Sequence, residues 1–140
     1  MNKITNLLLV LIVAVGFILS AVACADEPEG LWADATYLED TELGEGARTF
    51  TVEVIAEDTS VTFTVHTDKE TVGEALVACG LIEGTEGAYG LYIDKVNGIL
   101  ASWDENQSYW AFSIGGEYAM SGVDSTAITD GAHYELTYTK

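Results

Sequence analysis

Thr49-Phe50-Thr51-Val52-Glu53-Val54-Ile55, the turn Glu57-Asp58-Thr59, and Val61-Thr62-Phe63-Thr64-Val65-His66 together decide the fold. Successive side chains of a strand point to opposite faces, so Phe50, Val52 and Val54 share one side of the first run. Val61, Phe63 and Val65 share one side of the second. Two period-2 runs about a short polar turn predict a β-hairpin with one buried face. The period then changes. Thr67 or Asp68 starts a predicted helix, with Glu70 in its first turn as a capping-box partner. Val72, Ala75, Leu76 and Cys79 fall at helical spacing, and Gly80 suits the C-terminal cap.

Downstream, a Gly-rich stretch from Glu83 to Gly90 precedes a strand, Leu91 to Val96, which Asn97-Gly98 closes with a turn. Ile99 to Trp103 reads as a short strand and Asp104 to Gln107 as a loop. Ser108 to Ile114 is a strong strand pattern, Gly115-Gly116 a turn, and Glu117 to Met120 its partner. Asp130-Gly131 precedes a last strand, His133 to Thr139. The order ββα followed by several strands predicts an α+β fold: a β-grasp-like mixed or antiparallel sheet with one packed helix.

Upstream the chain changes character. Within residues 1–23 the single charged side chain is Lys3, followed by the apolar run Leu7 to Leu19 and Ser20-Ala21-Val22-Ala23. A positive start, a short apolar region and small residues before a cut site mark an export signal. The apolar run is shorter than the ~20 residues that span a bilayer comfortably. Cys24 follows directly, an arrangement that resembles the bacterial lipobox, although Ala21 stands where that motif usually has Leu. There the Cys thiol is diacylated, and two acyl chains give stable anchoring. Cleavage after Ala23 or Ala25 by an ordinary signal peptidase also fits the small-residue rule. The expected organisation is a signal segment at 1–23, an acidic and partly packed tether at 24–47, and a folded domain at 48–140. Localisation follows as the outer face of the cytoplasmic membrane, or secretion as the alternative.

The 140 residues hold 23 Asp+Glu against 5 Lys+Arg, a formal net charge of -18 at pH 7, yet 49% are hydrophobic. Both facts have one explanation, because the apolar excess is concentrated in the export segment. Removing residues 1–23 takes away Lys3 alone, which leaves a net charge of -19 over 117 residues. So acidic a domain weighs against nucleic-acid binding, which needs Lys and Arg to neutralise phosphates. It also weighs against attraction to an anionic bilayer, so membrane attachment is expected through lipid on Cys24.

A further set of residues carries a family resemblance. Ala88-Tyr89-Gly90-Leu91-Tyr92-Ile93, Val96-Asn97-Gly98-Ile99, Tyr109-Trp110-Ala111-Phe112-Ser113-Ile114, Gly116-Glu117-Tyr118, Gly122-Val123-Asp124 and Asp130-Gly131-Ala132-His133-Tyr134-Glu135-Leu136 resemble the DUF4430 family. That domain is related to the C-terminal domain of transcobalamin and intrinsic factor. The resemblance spans about Thr49 to Lys140, with Gly115-Gly116 where the family commonly has Asn-Gly. It implies a compact module of bacterial surface lipoproteins. It also implies cobalamin, or another corrinoid, as candidate ligand, with no cofactor required. The helical domain that completes the clamp in the eukaryotic relatives is absent from this sequence.

The residues offer their own case for a ligand. Alternation puts Trp110, Phe112 and Ile114 on one face and Tyr109, Ala111 and Ser113 on the other. The first set is the better core, so Tyr109, Tyr89 and Trp103 are the expected exposed rings, near Gly-containing loops that admit a flat ligand. Tyr89, Trp103, Tyr109 and Trp110 are therefore the candidate ligand-binding residues. Asp104-Glu105-Asn106-Gln107 lacks the alternating oxygen ligands of a Ca²⁺ loop, and no metal site is expected. His66 and His133 lie on alternating strands as structural or exposed residues, and Cys79 as a small apolar residue of the helix. No Gly-x-Ser-x-Gly, Walker loop or Cys-x-x-Cys occurs, and no enzyme is expected. The leading expectation is an exported ligand-binding module. The alternatives are a structural or protein-interaction module of a cell-surface assembly, and an adhesin-like domain whose rings stack on glycans.

Overall fold

The computed structural model describes residues 28–88 and 90–140. The expected signal segment, Cys24 and Tyr89 lie outside the described residues. Six strands form the main sheet. β1 (Thr41–Gly44), β2 (Arg48–Ala56), β3 (Thr59–Thr67), β7 (Tyr109–Ile114), β8 (Glu117–Tyr118) and β9 (His133–Thr139) lie in the order β1-β3-β2-β9-β7-β8. β2 and β3 make the expected antiparallel hairpin, with Phe50 opposite Val65, Val52 opposite Phe63 and Val54 opposite Val61. The C-terminal strand β9 runs parallel to β2 at the centre of the sheet, and β7 and β8 extend it in antiparallel fashion. This parallel central pair within a mixed sheet is the expected β-grasp-like α+β arrangement.

The alternation read from the sequence defines the core. Phe50, Val52, Val54, Val61, Phe63, Val65, Tyr134 and Leu136 are all buried on one face. Tyr134 is the aromatic centre of that face, with its ring 5.4 Å from Phe50 edge-on and 5.8 Å from Phe112 in a stacked pair. Helix α1 (Val72–Ala78) covers the face with Val72, Ala75 and Leu76. Thr71, not Thr67 or Asp68, caps α1: its hydroxyl accepts from the Glu74 amide and donates to the Glu74 carboxylate. Thr67 remains the last residue of β3, held by its pairing with Arg48, so the helix starts later than its sequence signals suggest.

A second, three-stranded sheet completes the layer over the core, in the order β4 (Ile82–Gly87), β5 (Gly90–Val96) and β6 (Ile99–Leu100). β4 falls on the Gly-rich stretch where no strand was expected. Only Ile82 of this edge strand is buried, so no alternation marks it, and its pairing with β5 supplies the order. Asp104 to Gln107 likewise differs from the expected loop, because Trp103–Asn106 form a one-turn helix, α2. Ile114, expected in the core, is 40% exposed at the end of β7.

Part of the acidic N-terminal segment packs on the domain. β1 pairs in parallel with β3, and Trp32, in a 3-10 turn (Gly30–Asp34), enters the core and donates from Nε1 to the Ala56 carbonyl at 3.0 Å. The opposite face of the main sheet is polar. There His66 contacts Thr49 and Glu42, and His133 contacts Thr51. Among the described residues no helix is long and apolar enough to cross a membrane.

Candidate functional site

The Asn97-Gly98 turn and the Trp110 indole place the walls of an open groove. Asn97 and Gly98 both take positive φ, +51° and +81°, and turn β5 into β6. Trp110 donates from Nε1 to the Ile99 carbonyl at 3.2 Å and so ties β7 beneath β6. The chain then leaves β6 and enters α2, whose short span is fixed by polar staples. Ser102 caps it by accepting from the Glu105 amide. The Ser102 amide donates to the Ser108 hydroxyl at 2.9 Å, and that fully buried hydroxyl also donates to the Asn106 side chain. Gln107 ends the turn in the left-handed conformation. These bonds satisfy the turn's polar groups internally, so its one large apolar side chain, Trp103, is left facing outward.

The resulting groove has a volume of about 620 Å³ and is lined by Tyr92, Asp94, Leu100, Ala101, Ser102, Trp103, Asp104 and Tyr109. Trp103 is 56% exposed, Leu100 52% and Tyr92 47%. Large apolar side chains exposed together mark an interaction site far better than scattered ones. The Trp103 and Tyr109 rings stand 6.2 Å apart at a tilt of 60°, so they form two inclined walls and not a closed stack. Asp94 is oriented by the Thr85 hydroxyl, which donates to its Oδ2 at 2.9 Å. Among the described residues, neither Lys, Arg nor His lines the groove.

Of the residues expected to bind a ligand, the structure brings Trp103 and Tyr109 together. Trp110 is buried on the core face of β7, where it meets Tyr138 edge-on, and its role in the groove is to position β6. Tyr92, Leu100 and Tyr118 were not expected. Tyr92 and Leu100 reach the groove through the second sheet, whose β4–β5 and β5–β6 hairpins place them although their own strand patterns do not mark them as lining residues. Tyr118, 68% exposed, sits across the β7–β8 pair from Ser113, near Tyr109. Partial desolvation and the neighbouring Tyr109 phenol raise its hydroxyl above the ordinary tyrosine range. The position of Tyr118 opposite Ser113 about the Gly115-Gly116 turn was the signal available for it.

Cys79 closes α1, half-buried, with its thiol donating to the Leu76 carbonyl. Desolvation by burial pushes its pKa upward, which suits a packing residue and not a nucleophile. Among the described residues no group of three or more His, Cys, Asp or Glu side chains is arranged to hold a metal ion.

Comparison with known proteins places this geometry. No curated protein matches the chain. Among solved structures, a candidate metal-binding protein of Ruminococcus gnavus ATCC 29149 is 36% identical with a TM-score of 0.63, covering 67% of this chain and 98% of that one. Haptocorrin in complex with Cbi is 19% identical with a TM-score of 0.56, over 66% of this chain and 25% of that one, a likeness of fold. The family described as "Domain of unknown function (DUF4430)" matches residues 69–140, a span that runs from the approach to α1 through the whole groove to the C-terminus. By that match, and by its likeness to the Ruminococcus protein over nearly all of the latter's length, the chain belongs to the DUF4430 family.

Proposed function

We propose that the chain is an exported, lipid-anchored, non-catalytic module that binds a flat, partly apolar ligand of corrinoid type in the groove of Tyr92, Trp103 and Tyr109. The observation that carries the reading is the outward presentation of Trp103 beside Tyr109 by a turn whose own polar groups are satisfied. Aromatic rings offer large contact area at little entropic cost, and an open groove admits a ligand larger than itself. The likeness to haptocorrin, a structure that holds Cbi, supports a corrinoid as the first ligand to try. The Ruminococcus gnavus protein is described as metal-binding, and among the described residues of this chain no group of three or more His, Cys, Asp or Glu side chains converges, so the reading is argued from the rings. Attachment through Cys24 and exposure on the outer face of the membrane complete the proposal, on the strength of the apolar run and the small residues before that Cys.

Titration of the full chain in non-ionic detergent with cobalamins, followed by Trp fluorescence, tests it. A saturable change is expected. No change up to high micromolar ligand would remove the corrinoid reading and leave the aromatic patch as a docking surface for another surface protein.

A further inference from the structure

The groove combines three aromatic rings with two carboxylates, Asp94 and Asp104, and among the described residues no basic side chain lines it. Aromatic faces carry negative electrostatic potential and attract cations, most strongly those with a weakly hydrated, methylated charge. A bare ammonium ion keeps its water shell, whereas a quaternary ammonium has apolar methyl groups that fit against tilted rings. Trp103 and Tyr109, inclined at 60°, offer two such faces, and Tyr92 a third from β5. The lining carboxylates add longer-range attraction, and the chain's net charge of -18 strengthens the same preference. An anionic ligand would meet the opposite field at every wall.

We infer that the groove selects a small organic cation bearing a quaternary ammonium or comparably methylated, weakly hydrated positive centre. The inference rests on the proposed role of the groove as a ligand site and goes beyond the corrinoid reading, since it names a second ligand class for the same walls. The occupant is a free small molecule. Charge complementarity argues for it, since the rings supply the contact and Asp94 and Asp104 the counter-charge.

The test is titration of the full chain, in non-ionic detergent at low salt, with choline and with its neutral isostere 3,3-dimethyl-1-butanol. Trp103 is the reporter, because Trp32 and Trp110 are buried. Saturable quenching by choline is expected, with the neutral isostere about tenfold weaker. Asp94→Asn with Asp104→Asn should weaken choline about fivefold and leave the isostere unchanged. Raising salt should weaken choline alone. Trp103→Phe, read by equilibrium dialysis of labelled choline, should retain most binding, and Trp103→Ala should lose about tenfold. Equal affinity for choline and the isostere would overturn charge selection. A response to cobalamins with none to choline would overturn it too, while leaving the groove as a ligand site. No response to either would overturn both readings. Capture by phosphatidylcholine vesicles without a response to free choline would also overturn the inference, because the occupant would then be a membrane surface.

Discussion

The Trp103 and Tyr109 rings stand 6.2 Å apart at 60°, yet they come from different elements: one from a single helical turn, the other from the first residue of β7. Five residues of sequence separate Trp103 from Tyr109, and Trp110 follows Tyr109 directly; in space the two indoles do opposite work. Trp103 faces outward into the groove, and Trp110 faces inward and ties β7 to β6.

That division predicts opposite consequences for two superficially equal substitutions. Trp110→Ala leaves a cavity in the core and should cost about 3–5 kcal/mol of stability. Trp103→Ala removes an exposed ring and should cost less than about 1 kcal/mol. Denaturant unfolding of each variant checks the pair. Similar losses for both would mean that Trp103 is a packing residue.

Two glycines with similar backbone angles provide a second comparison. Gly98 has φ +81°, and a Cβ there would lie 2.5 Å from the Asp34 carbonyl oxygen. Gly116 has φ +88° with nothing within 4 Å of the same added atom. Both substitutions by Ala pay the left-handed conformational cost, about 1 kcal/mol. Gly98→Ala adds a steric clash with the backbone of the N-terminal segment and should reach about 2–4 kcal/mol. Thermal unfolding should therefore rank Gly98→Ala well below Gly116→Ala in Tm.

Cys79 yields a prediction whose sign follows from burial. Its folded pKa is raised by desolvation, so the fold favours the neutral thiol. Stability should be fully present below the ordinary thiol value of about 8.5 and decline as pH rises through and above it. In a Cys24→Ala background, iodoacetamide should modify Cys79 more slowly in the native protein at pH 8 than in urea. Equal rates would show that the thiol is not protected.

Export and anchoring have their own test, independent of the groove. If Cys24 carries the lipid, Cys24→Ala should shift the chain from the membrane fraction into the medium of an expressing bacterium. Retention in the membrane would instead identify residues 7–19 as an uncleaved anchor.

Much of the fold was legible because its central strands are half-buried. Phe50, Val52 and Val54, like Val61, Phe63 and Val65, had to alternate to cover one face and expose the other, and that alternation is visible in the chain. β4 was not legible, because every residue from Glu83 to Gly87 is exposed and pairing with β5 alone orders it. The start of α1 was misplaced because Thr67, Asp68 and Thr71 offer similar capping chemistry, and only the β3 register removes the first of them. The groove was half legible. Trp103 and Tyr109 could be picked out as rings outside the core pattern. Tyr92 and Leu100 line it as well, on hairpin strands whose pattern does not say which face borders a groove, and Tyr118 stands near Tyr109 across the expected Gly115-Gly116 turn.

Equilibrium dialysis of the full chain against a cobalamin, with Trp103→Ala alongside, tests the central claim most directly. The account predicts saturable retention by the native chain and a loss of about tenfold or more in Trp103→Ala, whose fold should remain intact. Undiminished retention by Trp103→Ala, or none by the native chain, would contradict it.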